Sequence, residues 1–215
     1  MNKIKAVLLD FGNVISEQQD TTCFDRMASL TGLSRDVFVD GFRRYRSEFD
    51  RGTLPGLEMY RNILNDAGYR HETSAQASEK GPSLDELTER LLDEDLTAWT
   101  RISGPVTEWA LGLQKKGYKI GILSNMPFEF LERFESRVPL FLAADAAVFS
   151  CRVNLVKPEP EIYREAVKSL GVQAEEIVFF DDIQINIDAA RAEKLNAFLW
   201  TSLAQAKKDL EPLLA

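Results

Sequence analysis

A short apolar run, Ile4-Lys5-Ala6-Val7-Leu8-Leu9, stops at Asp10 and passes directly into Phe11-Gly12-Asn13-Val14. A run this short cannot span a membrane, and a carboxylate followed by Gly-Asn closes it with a turn. It reads as a buried strand with a polar group at its C-terminal end, which is where open α/β sheets hold their ligands. The pattern recurs along the chain. Ile120-Gly121-Ile122-Leu123 runs into Ser124-Asn125, Val156-Lys157-Pro158 precedes another apolar stretch, and Ile177-Val178-Phe179-Phe180 ends in Asp181-Asp182.

Beyond residue 100, strand and helix patterns alternate. Gly104-Pro105 opens a helix that Gly117 stops, Pro127 opens a second carrying Phe130, Leu131 and Phe134, and Pro160 opens a third ending at Gly171. Strands are expected over 118–123, 146–150, 177–180 and 197–200, with a further helix over 187–194. Such alternation predicts an α/β fold, a doubly wound parallel sheet with helices on both faces. From Cys23 to about Trp99 no strand pattern occurs; Phe24, Met27 and Leu30, then Leu57, Tyr60, Ile63 and Leu64, recur at helical spacing. The organisation expected is a core of residues 1–16 and 100–215 with a helical insertion, 17–99, after the first strand. Within the insertion, 71–83 is polar and reads as a loop.

Composition narrows the chemistry. With 26 Lys and Arg against 34 Asp and Glu in 215 residues, the formal charge is −8, which argues against a broad nucleic-acid surface. A single histidine, His71, argues against histidine-based catalysis and polyhistidine metal sites. Two cysteines, Cys23 and Cys151, give no disulfide framework, so a reduced cytoplasmic compartment is expected, and no secretory or membrane segment is read at the N-terminus.

In order, these motifs (Asp10 with Gly12-Asn13-Val14, Ser124-Asn125, Lys157-Pro158, Asp181-Asp182) resemble those of the haloacid dehalogenase-like (HAD) phosphohydrolases over roughly residues 4–200. The resemblance implies a Rossmann-like core with a helical C1 cap closing over it. It implies that Asp10 is a nucleophile forming an aspartyl-phosphate, and that Ser124, Asn125 and Lys157 bind the phosphate, Lys157 also pairing with Asp10. It further implies a Mg²⁺ held by Asp10, the Gly12 backbone carbonyl and Asp181, with Asp182 in support and Asn186 bracing the acidic loop. In the cap, Arg43, Arg44 and Arg46 are candidates for substrate contact, and Phe11 and Phe128 for the junction between cap and core. The partner implied is a small phosphorylated metabolite, with no nucleic acid and no membrane, and a protein partner is left open.

Each residue alone has a plainer reading: Asp10 a turn aspartate, Ser124-Asn125 a helix cap, Lys157 and the arginines solvated charges. Asp181-Asp182 is harder to dismiss, because adjacent carboxylates at the end of an apolar strand repel one another without a cation. Most phosphatases of this family carry a second Asp where this chain has Gly12. The motif Asp-x-Gly-Asn-Val resembles a branch with members similar to α-glucose-1-phosphatase, whose anomeric leaving group departs with less acid assistance. The favoured substrate is therefore a sugar 1-phosphate, with Asn13 a candidate for positioning water. Alternatives are a weakly active relative that binds phospho-ligands or a protein, and a metal-free dehalogenase, against which the paired carboxylates argue.

Overall fold

The computed structural model describes residues 3–69 and 82–214. Strand β1 (Ala6–Leu9) is followed by a turn and four helices, α1 (Cys23–Thr31), α2 (Arg35–Arg51), α3 (Gly56–Asp66) and α4 (Leu84–Thr97). Then come α5 (Gly104–Lys115), β2 (Lys119–Ser124), α6 (Phe128–Phe134), α7 (Pro139–Ala143), β3 (Ala146–Phe149), α8 (Ser150–Val153) and α9 (Pro160–Leu170). The chain finishes with β4 (Ile177–Asp181), α10 (Gln184–Ala192), β5 (Asn196–Leu199) and α11 (Leu203–Leu210).

The five strands are all parallel, in the order β3-β2-β1-β4-β5. Because strand side chains alternate between faces, β1 and β4 each feed two cores. Val7, Leu9, Val178 and Phe180 pack with Ala110 and Leu113 of α5 and Ala206 and Leu210 of α11. Ala6, Leu8, Ile177 and Phe179 pack with Ile162, Tyr163 and Ala166 of α9 and Ile187 and Ala190 of α10. The result is the doubly wound three-layer α/β arrangement expected, with every predicted strand present. The helix expected over 187–194 begins three residues earlier, at Gln184, close behind the acidic pair.

Helices α1 to α4 carry the apolar positions predicted from their spacing, with Phe24, Met27, Tyr60, Ile63 and Leu64 buried and Leu30 at the exposed edge. Gly52 ends α2 at φ 79°, and a Cβ there would lie 2.6 Å from the Phe128 ring, so the chain turns towards the sheet only because this residue has no side chain. That contact places Phe128 at the junction between the helices and the core. Ser83 starts α4 through a reciprocal pair of bonds with Glu86. His71 and most of the expected 71–83 loop lie outside the described residues. Cys23 and Cys151 are buried free thiols, pushed up by burial to about 12 and about 11, which leaves both inert. Among the described residues no helix is long and apolar enough to cross a membrane.

Candidate active site

The sheet order reverses between β1 and β4, the two strands that lead in opposite directions from the centre of the sheet. At such a switch point the connections diverge and leave a crevice beyond the strand ends. Leu9 pairs in register with Phe180, and the Asp10 N–H continues the ladder to the Phe180 carbonyl at 3.0 Å. Asp10 and Asp181, 171 positions apart in sequence, are thereby neighbours. Carboxylate oxygens of Asp10, Asp181 and Asp182 all lie within 4.8 Å of one another. Ser124, the last residue of β2, borders the same crevice and is buried.

Lys157 enters from the loop before α9 and is 5% exposed. Its ammonium bonds Asp10 Oδ1 at 2.8 Å and Asp181 Oδ2 at 2.6 Å, and donates to the Leu123 carbonyl at 3.0 Å. All three of its donors are used. Burial opposes the lysine's charge, but Asp10 and Asp181 outweigh it and raise its pKa. Asp10 is pushed by burial up to about 7, against the pull of Lys157 and with the repulsion of Asp181 and Asp182 added. Burial also raises Asp182, although the hydrogen bond from Asn13 counteracts it. One buried ammonium does not neutralise three carboxylates, so the cluster is short of positive charge.

The supporting bonds show how each predicted residue is used. Asn186 Nδ2 donates to both oxygens of Asp181 at 3.0 and 3.1 Å, and Asp181 Oδ1 also accepts from the Ile183 N–H. Asn125 embraces the Lys157 backbone: its Oδ1 accepts from the N–H at 2.8 Å and its Nδ2 donates to the carbonyl at 3.1 Å. The Asn125 side chain thus aims the lysine. Asn13, at φ 56°, donates from Nδ2 to Asp182 Oδ2 at 2.8 Å and accepts the Gln19 N–H at Oδ1. With one bond at each end of that amide, Asn13 ties the first turn to the acidic loop.

Above the carboxylates lies a cavity of about 440 Å³, roofed by residues of α2 and α4 and by Trp99. Of the three arginines, Arg46 lines it and is half-buried, stacked over Phe42 at 4.7 Å and bonded to Asp50 Oδ2 at 2.7 Å. Arg43 reaches only the exposed rim, close to Asp40. Arg44 turns away to pair with Asp66 and does not line the cavity. Phe11 lines the cavity wall and packs against Phe130, ring centroids 5.1 Å apart.

Two residues that sequence reasoning missed complete the roof. Asp50 and Asp95 are 5% and 1% exposed and pair with Arg46 at 2.7 and 3.7 Å at the edge of the cavity. Burial raises both, Asp95 to about 6 against the pull of Arg46. Keeping Asp95 ionised near pH 7 costs the fold about 3 kcal/mol. Both sit in amphipathic helices among many exposed acids, so no local pattern marks them. Gly12 has an ordinary φ of −61°, but a Cβ on it would meet Trp99 Cζ3 at 3.2 Å. The space a side chain at position 12 would enter is bordered by the indole.

The haloacid dehalogenase-like hydrolase family model matches residues 4–193. The bifunctional epoxide hydrolase 2 of Mus musculus is 25% identical over 97% of this chain and 38% of its own length, so the chain spans about two fifths of that relative. A phosphorylated carbohydrates phosphatase of Thermotoga maritima is 31% identical over 54% of this chain and 56% of its own. Among solved structures, the HAD family enzyme BT-2542 of Bacteroides thetaiotaomicron, in complex with magnesium and inorganic phosphate, superposes with a TM-score of 0.69 at 19% identity. That superposition covers 93% of this chain and 96% of the other. A matching family model over residues 4–193 establishes that this protein belongs to the haloacid dehalogenase-like hydrolases.

Proposed function

We propose that this protein is a Mg²⁺-dependent phosphatase of small phosphorylated metabolites, with a sugar 1-phosphate the favoured substrate, acting through an aspartyl-phosphate on Asp10. The observation that carries this reading is the buried Lys157 bridging Asp10 and Asp181 inside a cluster of three carboxylates. Oxygen donors with an excess of negative charge suit a hard divalent cation, and the raised Asp10 and Asp182 carboxyls are groups that a cation would relieve. Asp10, the Gly12 carbonyl and Asp181 would hold the ion, with Asp182 in support. When bound, the metal supplies charge neutralisation between an anionic nucleophile and an anionic phosphate.

The chain's own groups do the rest. Lys157 holds Asp10 by one oxygen and leaves the other for attack on phosphorus, the leaving oxygen departing as the Asp10–phosphorus bond forms; water then attacks that phosphorus, releasing inorganic phosphate and restoring the Asp10 carboxylate. Ser124 Oγ and the Asn125 backbone N–H receive the phosphate oxygens, and Lys157, whose three donors are held by Asp10, Asp181 and the Leu123 carbonyl, binds the phosphate as a neighbouring positive charge. Asn186, Asn125 and Asn13 keep Asp181, Lys157 and Asp182 in place. Residues 1–16 and 100–215 make the catalytic core and 17–99 the cap that roofs the site and excludes water. The relative named as a phosphorylated carbohydrates phosphatase supports the substrate class. The free buried thiols fit a reducing, cytoplasmic compartment.

Metal dependence is tested by thermal unfolding. Mg²⁺ should raise the midpoint over chelator in wild type and do little in Asp181→Asn. The gain should be small near pH 5 and grow towards pH 8, because below pH 7 the ion must displace the Asp10 proton. Equal midpoints with and without Mg²⁺ across that range, with metal-independent hydrolysis, would sink the assignment.

The leaving-group dependence tests Gly12. With no carboxylate there to protonate the departing oxygen, log kcat/KM across aryl and alkyl phosphates should fall as leaving-group pKa rises. Gly12→Asp is allowed by the backbone but needs Trp99 to yield by a few tenths of an ångström. The slope should therefore flatten more in Gly12→Asp combined with Trp99→Ala than in Gly12→Asp alone. A flat wild-type slope would mean that another group already supplies the proton or that the chemical step does not limit the rate.

A further inference from the structure

The roof of the cavity holds polar atoms that nothing in the catalytic assignment uses. Asp50 Oδ1, both carboxylate oxygens of Asp95, Trp99 Nε1 and Gln19 Nε2 are all buried and lack a hydrogen-bond partner of ordinary geometry among the described residues. The four residues line the same cavity as Asp10, Ser124 and Lys157. Tyr60 and Trp99 lie against Asp95 closely enough to favour its ionised form without closing such a bond. Buried polar atoms left without partners cost about 1–3 kcal/mol each, and folds retain them where a ligand completes them.

The set is mixed in character. Asp50 and Asp95 only accept when ionised, while the Trp99 indole and the Gln19 amide donate. A hydroxyl group both donates and accepts, so a ring or chain carrying several hydroxyls meets the whole set. An ammonium group can only donate, and leaves the indole and amide unmatched. Charge points the same way: Arg46 faces two buried carboxylates, and Arg43 stands at the exposed rim. A leaving group with its own phosphate or carboxylate would face net repulsion in the roof.

Resting on the phosphatase reading above, we propose that Asp50, Asp95, Trp99 and Gln19 form a hydroxyl-recognising subsite, so that the preferred substrate is the monophosphate of a polyhydroxylated and otherwise uncharged molecule. These are specificity residues; they hold the leaving group while Asp10 and Lys157 carry the chemistry. Leaving one of their buried groups unmatched penalises an analogue that lacks a hydroxyl.

The test compares wild-type kcat/KM, with Mg²⁺ present, for α-glucose 1-phosphate, its 2-, 3-, 4- and 6-deoxy derivatives, glucose 1,6-bisphosphate and 4-nitrophenyl phosphate. At least one of the 3-, 4- or 6-deoxy derivatives, which keep the anomeric leaving oxygen and its neighbour, should be at least tenfold poorer than the parent. The bisphosphate should be about a hundredfold poorer. Asp50→Asn and Asp95→Asn should narrow both ratios, a change that general loss of folding would not produce. If wild type hydrolyses 4-nitrophenyl phosphate yet treats the parent, all deoxy derivatives and the bisphosphate within threefold of one another, the subsite is wrong and the phosphatase reading stands. If it hydrolyses none of these compounds, the phosphatase reading fails and the subsite with it.

Discussion

Asp10→Asn is expected to abolish hydrolysis, lowering kcat by about four orders of magnitude or more, while the protein stays folded. The amide keeps the shape of the carboxyl but is no nucleophile, so the step that forms the aspartyl-phosphate has no attacking group. The same substitution should make the metal-free protein more stable at alkaline pH. Asp10 sits near its ordinary value in the unfolded chain and at about 7 in the fold, so between pH 4 and 7 the folded state binds the extra proton. Stability of the wild type therefore falls as pH rises through that window, and the Asn variant lacks this fall. Denaturant unfolding at pH 5 and pH 8 in chelator, alongside single-turnover hydrolysis, measures both effects. A variant that retains wild-type turnover would remove Asp10 from the mechanism.

Lys157→Met should be destabilising by about 3–5 kcal/mol in the absence of metal, because it removes the ammonium from a buried pair and leaves the carboxylates facing one another. In a chain of this size that corresponds to a loss of very roughly 10 °C in the thermal midpoint. Met matches the length of the lysine stem, so lost packing contributes little. Hydrolysis should fall as well, since nothing then offsets charge on the equatorial phosphate oxygens. Addition of Mg²⁺ should restore more stability to this variant than to wild type, for the ion then meets an uncompensated cluster. Calorimetry with and without Mg²⁺ reads the difference. An unchanged midpoint would mean that Lys157 is not the counter-ion of Asp10 and Asp181.

The two substitutions mark how far the amino-acid sequence carries. The apolar runs at 4–9, 120–123 and 177–180 and the prolines and glycines at 104–105, 117, 127, 160 and 171 are local signals, and each produced the strand or helix boundary it predicts. Asp10, Ser124, Lys157 and Asp181 were legible for the same reason: each is the first polar residue after an apolar run, or stands just before a helix. Their order along the chain carried the family. Asn125 and Asn13 were singled out from the same turns, but the bonds their amides make, to the Lys157 backbone and to Asp182, join segments far apart in the chain and were not legible there.

What the sequence determined by itself was therefore the alternation of strands and helices, the place of the insertion and the residues at the strand ends. Tertiary structure alone decided the roof. Arg43, Arg44 and Arg46 are near-identical in sequence, yet helix α2 sends one to the rim, one away to Asp66 and one inward against Asp50. Asp50 and Asp95 are buried only because α2 and α4 close over the same cavity, and Gly12 is crowded only because Trp99, 87 residues later, lies across it. Burial and charge compensation depend on which distant segments pack together, so the same aspartate is a solvated charge on one helix face and a buried group paired with Arg46 on another.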